Sequence, residues 1–153
     1  MLNQETSDEI ETCSWKQGTF HEKDFYLNAC AWCYLYLFPV NGLFPQYGQY
    51  LISVSNNSRF SQGTLLLADA QNVTAREKVC KSLSGDECEL WGYCCDAGRE
   101  CCKRQISAKS DVKNMTSCGI TWDGYSCWNI GTPGERSYQS CPSYLQFSMP
   151  TRE

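Results

Sequence analysis

Cysteines offer the most chemistry in this sequence: twelve in 153 residues, among them Cys30-Ala31-Trp32-Cys33 and the adjacent pairs Cys94-Cys95 and Cys101-Cys102. Thiols at such spacings can hold a metal, exchange disulfides, or be oxidised into structural bridges. A zinc ribbon needs a second C-x-x-C, which is missing, and His21, the single histidine, is not placed to complete a mixed site. A redox role for Cys30 and Cys33 calls for a βαβ context that the sequence does not display. With one histidine there is also no Ser/His/Asp or Cys/His arrangement, and no glycine-rich phosphate loop occurs. The sequence therefore reads as a non-enzyme without a cofactor or metal. Structural bridges remain, and a chain this dense in cysteine keeps them in an oxidising compartment.

Three glycosylation sequons, at Asn56, Asn72 and Asn114, agree with an extracellular location. The formal charge of -4 argues against nucleic acid as a partner, since no basic face is clustered. Lys103, Arg104, Lys109 and Lys113 read as a solvated loop.

The elements that must position the cysteines are unevenly legible. Nine of the twelve lie between Cys80 and Cys141, which places the stapled unit in the second half. Residues 1–79 read as an uncharacterised, poorly structured extension: a charged leader over 1–24, a loop over 45–63 with a short strand at 50–54, and a short helix over 65–78 capped by Thr64. The apolar run 27–40 is either a buried strand or helix, or a displaced signal-like segment; Pro39 and Asn41-Gly42 break it too early for a membrane span. From Ser84 onward, N-cap and first-turn acids precede a helix carrying Cys88, Cys95 and Cys102 seven residues apart, with Cys94 and Cys101 on the adjoining line. Seven residues of helix rise about 10 Å, too far for these cysteines to bond one another, so each must reach a different element or stay free. Residues 105–117 then read as a polar loop. Ile120 to Trp128 reads as a strand, the turn Gly131-Thr132-Pro133-Gly134 follows, and 135–141 return as the second strand of a hairpin.

The window Cys118 to Pro142 adds a pattern of fixed spacings: Cys118, Trp122-Asp123, Cys127-Trp128, Gly131 and Cys141-Pro142. It resembles the extracellular hormone-receptor domain of family B (secretin-like) G-protein-coupled receptors, over roughly residues 86 to 153. The resemblance implies a small, disulfide-rich α+β fold, with an N-terminal helix stapled to a β-hairpin. It implies that the helix cysteine, Cys102 or Cys101, pairs with Cys127. In the loop-entropy model such a bridge stabilises by roughly 3–4 kcal/mol. Trp122, Asp123, Trp128 and Pro142 match the family's structural core, in which the carboxylate anchors a polar network and a Trp packs on a basic side chain. Leu90, Trp91, Tyr144 and Phe147 become ligand-binding candidates by position and apolarity.

In the family, Cys118 and Cys141 pair with two further cysteines downstream, followed by seven transmembrane helices, whereas this sequence stops at Glu153. The expectation is thus a partial domain at 84–153: a fragment or truncated form of a receptor whose parent sits in the plasma membrane, binds a peptide hormone outside and signals through a heterotrimeric G protein. A secreted soluble hormone-binding decoy, or an unrelated cysteine-rich toxin-like or inhibitor protein, are the other readings.

Overall fold

A helix that is apolar on every side belongs in the middle of a protein, and α1 (Glu22–Leu37) occupies that place, with ten of its sixteen residues buried. The computed structural model describes residues 11–109, 119–129, 136 and 139. Ahead of α1, β1 (Thr12–Trp15) and β2 (Gly18–His21) form an antiparallel hairpin with Thr12 opposite His21. After it, β3 (Leu43–Gln46), β4 (Tyr50–Ser53) and β5 (Leu65–Leu67) form a three-stranded antiparallel sheet in that order. A short α2 (Val73–Cys80) leads to α3 (Gly85–Lys109). Two short strands close the described fold, β6 (Thr121–Trp122) and β7 (Cys127–Trp128).

The protein is a small α+β, disulfide-rich fold in which a long helix is stapled to β-hairpins. Helix α3 starts where the sequence places it, with a reciprocal capping box. The Glu87 amide donates to Ser84 Oγ at 3.2 Å, and the Ser84 amide donates to Glu87 Oε1 at 2.9 Å. Its cysteines reach different elements: Cys88 bonds Cys80, Cys94 bonds Cys33, Cys95 bonds Cys30, Cys101 bonds Cys127 and Cys102 bonds Cys13. Cys30 and Cys33 share one face of α1 by their three-residue spacing, so the two central bridges lock α1 and α3 side by side.

Several sequence expectations are corrected. The charged leader over 1–24 contains the β1–β2 hairpin and the start of α1, because buried Cys13 and Trp15 face inward on alternate residues. The expected helix over 65–78 divides: Leu65–Leu67 pairs with β4, Asp69 caps a turn by accepting from the Gln71 and Asn72 amides, and Asn72, not Thr64, is the N-cap of α2. The supposed loop over 45–63 holds the end of β3 and most of the β3–β4 hairpin. The polar loop expected over 105–117, with its solvated lysines, is helical as far as Lys109, since α3 carries Lys103, Arg104 and Lys109, and its remainder lies outside the described residues. The boundary between 1–79 and 84–153 is not a structural divide, because Cys13–Cys102, Cys30–Cys95 and Cys33–Cys94 all cross it. The run 27–40 is mostly the buried helix α1, and among the described residues no helix is long and apolar enough to cross a membrane.

The two long helices also pack closely at Gly98. A Cβ there would lie 2.9 Å from Ala29 Cβ and 3.4 Å from the Trp122 ring. Neither neighbour is the free end of a flexible chain, so the backbones would have to part. Gly98→Ala is expected to destabilise the oxidised protein by about 1–3 kcal/mol, read as a lower urea midpoint. An unchanged midpoint would contradict this packing.

Candidate functional site

The window that carries the spacing pattern is held on both sides by the rest of the chain. Cys127 is bonded to Cys101 on α3, with Cα atoms 5.4 Å apart. Trp122 lies opposite Trp15 in a parallel pairing, so β6 joins the N-terminal hairpin and the sheet order is β2-β1-β6-β7. Its ring is 1% exposed and covers Gly98. Of the two helix cysteines left open by the sequence, Cys101 reaches Cys127 while Cys102 reaches Cys13.

Between β6 and β7 the chain reverses over four residues. Thr121 faces Trp128 and Trp122 faces Cys127, which places the turn at Asp123–Ser126. This corrects the single strand expected over 120–128. The turn expected at 131–134 and the return strand lie outside the described residues, apart from Arg136 and Gln139. Gly124 has φ 102°, and a Cβ there would meet the Tyr36 ring at 2.5 Å. Only glycine fits this position.

Asp123 organises the turn. Its Oδ1 accepts from the Tyr125 amide at 2.8 Å and the Ser126 amide at 2.7 Å, and its Oδ2 accepts from Trp128 Nε1 at 2.7 Å. The Asp123 amide in turn donates to the Ser126 carbonyl at 3.2 Å. The residue looks buried in sequence, flanked by aromatics, but it is exposed; its acceptor capacity is filled by local donors, which lets a charged group sit at the surface without demanding burial. Gln139 reaches the same turn, donating to Ser126 Oγ at 2.9 Å.

The ligand-binding candidates separate. Trp91 is fully buried and donates its indole N–H to the Cys30 carbonyl at 2.9 Å, so it is a core residue that seals α1 against α3. Leu90 is half-buried at the edge of the core. Tyr144 and Phe147 lie outside the described residues, as do Cys118, Cys141, Pro142 and Asn114. Asn56 and Asn72 are both exposed, and each uses only its Oδ1 locally, on the Gln62 amide at 2.7 Å and the Ala75 amide at 3.0 Å. Among the described residues no group of His, Cys, Asp or Glu could hold a metal.

Sequence reasoning missed a row of aromatic rings that runs from the hairpin onto this segment. Trp15 meets Trp32 edge-on at 6.3 Å, Trp32 meets Tyr36 at 5.7 Å, and Tyr36 meets Tyr125 at 4.9 Å. The available signal was the four-residue spacing of Trp32 and Tyr36 on one helix face. Burial first, then Tyr36 and the Asp123 carboxylate, push the Tyr125 hydroxyl above the usual phenol range.

Residues 115–153 match the Hormone receptor domain family. Over 52 residues the chain is 35% identical to the G-protein coupled receptor seb-2 of Caenorhabditis elegans, covering 34% of this chain and 11% of that receptor. It is 36% identical over 52 residues to the Calcitonin gene-related peptide type 1 receptor of Danio rerio, with the same coverage of 34% and 11%. The chain thus spans about a ninth of the length of the curated relatives it matches. No solved structure matches the chain.

The Asp123 network gives a direct test. Asp123→Ala is expected to cost about 1–2 kcal/mol and Trp128→Phe about 1 kcal/mol. Because they share one hydrogen bond, the double variant should lose less than the sum in a denaturation cycle. Full additivity would mean that the Trp128 bond does not form.

Proposed function

We propose, from the premise that residues 115–153 carry the hormone receptor domain of family B G-protein-coupled receptors, that this chain is an extracellular peptide-hormone-binding module. The parent of such a module is a plasma-membrane receptor that signals through a heterotrimeric G protein. The supporting observation is the combination of Cys101–Cys127 with the Asp123–Trp128 hydrogen bond: one fastens the family segment to α3, and the other fixes its turn.

A peptide hormone presenting an amphipathic helix would lay its apolar face in a groove between a helix and neighbouring loops, with anchors at helical spacing. In this reading Leu90 of α3, Tyr144 and Phe147 are the candidates for contact with the ligand. Trp91 contributes by holding α3 against α1 and not by touching the ligand. In the same reading the asparagines of the three sequons, Asn56, Asn72 and Asn114, carry glycans.

The secreted, disulfide-homogeneous chain is expected to bind at least one amidated peptide of helical character saturably at one-to-one stoichiometry, measured by calorimetry. Tyr144→Ala or Phe147→Ala should weaken that binding about tenfold while leaving the near-UV circular dichroism unchanged. Absence of saturable binding to a broad peptide panel would sink the reading.

A further inference from the structure

The tip of the β3–β4 hairpin carries Tyr47 at φ 54°, a left-handed conformation that glycine or asparagine adopts at lower cost than an aromatic residue. Its side chain is 73% exposed, so core packing does not compensate. Bonds hold the two residues that follow it. Asn28 of α1, 3% exposed, accepts from Trp15 Nε1 at 2.9 Å and donates to the Gly48 carbonyl at 3.2 Å. Gln49 Nε2 donates to Asp24 Oδ1 of the same helix at 3.1 Å, and the Gln49 carbonyl accepts from the Ala68 amide at 2.9 Å. A strained residue fixed by its surroundings, yet turned toward solvent, points to a binding role.

Beside Tyr47 lies a pocket of about 350 Å³, lined by Phe20, Trp32 and Tyr47 together with Gln17, Asn28 and Gln46. Phe20 and Trp32 are half-buried, and Trp32 is steadied by its edge-on contact with Trp15. None of the lining residues carries a charge at neutral pH, so an ionic ligand would be desolvated there without a counter-charge. Ring faces offer stacking, while glutamine amides both donate and accept hydrogen bonds. The ligand that complements this set is uncharged, has flat C–H faces and bears a rim of hydroxyls.

We propose that this pocket is a binding site for a neutral pyranose saccharide, stacked against the Trp32 and Tyr47 rings and hydrogen-bonded through its hydroxyls by Gln17 and Gln46. The site lies outside residues 115–153 and does not depend on the hormone-binding reading. Free sugars and the glycans of a cell surface share this chemistry.

The test titrates the full chain with chitotriose, mannotriose and lactose, following tryptophan emission and backbone amide NMR shifts. At least one sugar should saturate, with shifts centred on Trp32, Gln46 and Tyr47. Tyr47→Asn removes the ring and relieves the left-handed strain. It should weaken binding about tenfold while the thermal midpoint stays level or rises, a pairing that a purely structural tyrosine would not give. Gln46→Ala should weaken binding with the fold intact. Glycosidase-trimmed and intact cell-surface glycoproteins, used as further probes, separate the two sources. The proposal is overturned if none of the three sugars saturates, if Tyr47→Asn binds as well as the parent, or if the pocket takes tryptophan amide but no sugar.

Discussion

Helix α3 offers the rest of the chain one face, and five cysteines occupy it. The partners of those cysteines are drawn from the first hairpin, from both turns of α1's inner face, from the end of α2 and from β7. A fold with two small sheets has little apolar surface to hold them together, and cross-links to a common helix substitute for a larger core. The two bridges between α1 and α3 are central to this arrangement, because they set the helix separation that Gly98, Ala29 and the buried Trp91 then fill. Loops of 65 and 61 residues are closed there, where each bridge restricts the unfolded chain by about 4 kcal/mol in the entropy model.

The segment that matches the hormone receptor domain family depends on that framework. Its β6 strand extends the sheet begun by the N-terminal hairpin, its Trp122 ring closes over Gly98 where α3 packs on Ala29 of α1, and its Tyr125 stacks on Tyr36 of α1. The segment's own contribution is local: Asp123 gathers two turn amides and one indole, and Gly124 clears a path for Tyr36. Residues 11–83 therefore take part in presenting the family segment, through Cys13, Trp15 and the aromatic row.

The sequence disclosed those features whose signals are local or periodic. The N-cap candidates and first-turn acids from Ser84 marked the start of α3, and the seven-residue recurrence of cysteines showed that they must reach separate elements or stay free. Spacing in the Cys118 to Pro142 window pointed to the family. Helix α1 was harder to see, because a helix buried on all sides has no hydrophobic period to detect. Leu65–Leu67 shows the ambiguity of a short apolar run, which a strand or a helix can use equally well. Asp123-Gly124 was itself a turn signal, overshadowed by the more conspicuous Pro133-Gly134. Trp91 illustrates the limit of position and apolarity as guides to a ligand site: the same properties that suggest contact with a hormone also suit a core residue, and its bond to the Cys30 carbonyl places it in the core.

Disulfide mapping of the secreted protein by partial proteolysis and mass spectrometry tests the framework most directly. The account predicts peptides joined through Cys30–Cys95, Cys33–Cys94 and Cys101–Cys127, together with Cys13–Cys102 and Cys80–Cys88. Folded material in which Cys127 is joined elsewhere, or in which Cys30 and Cys33 are bonded to each other, would contradict it.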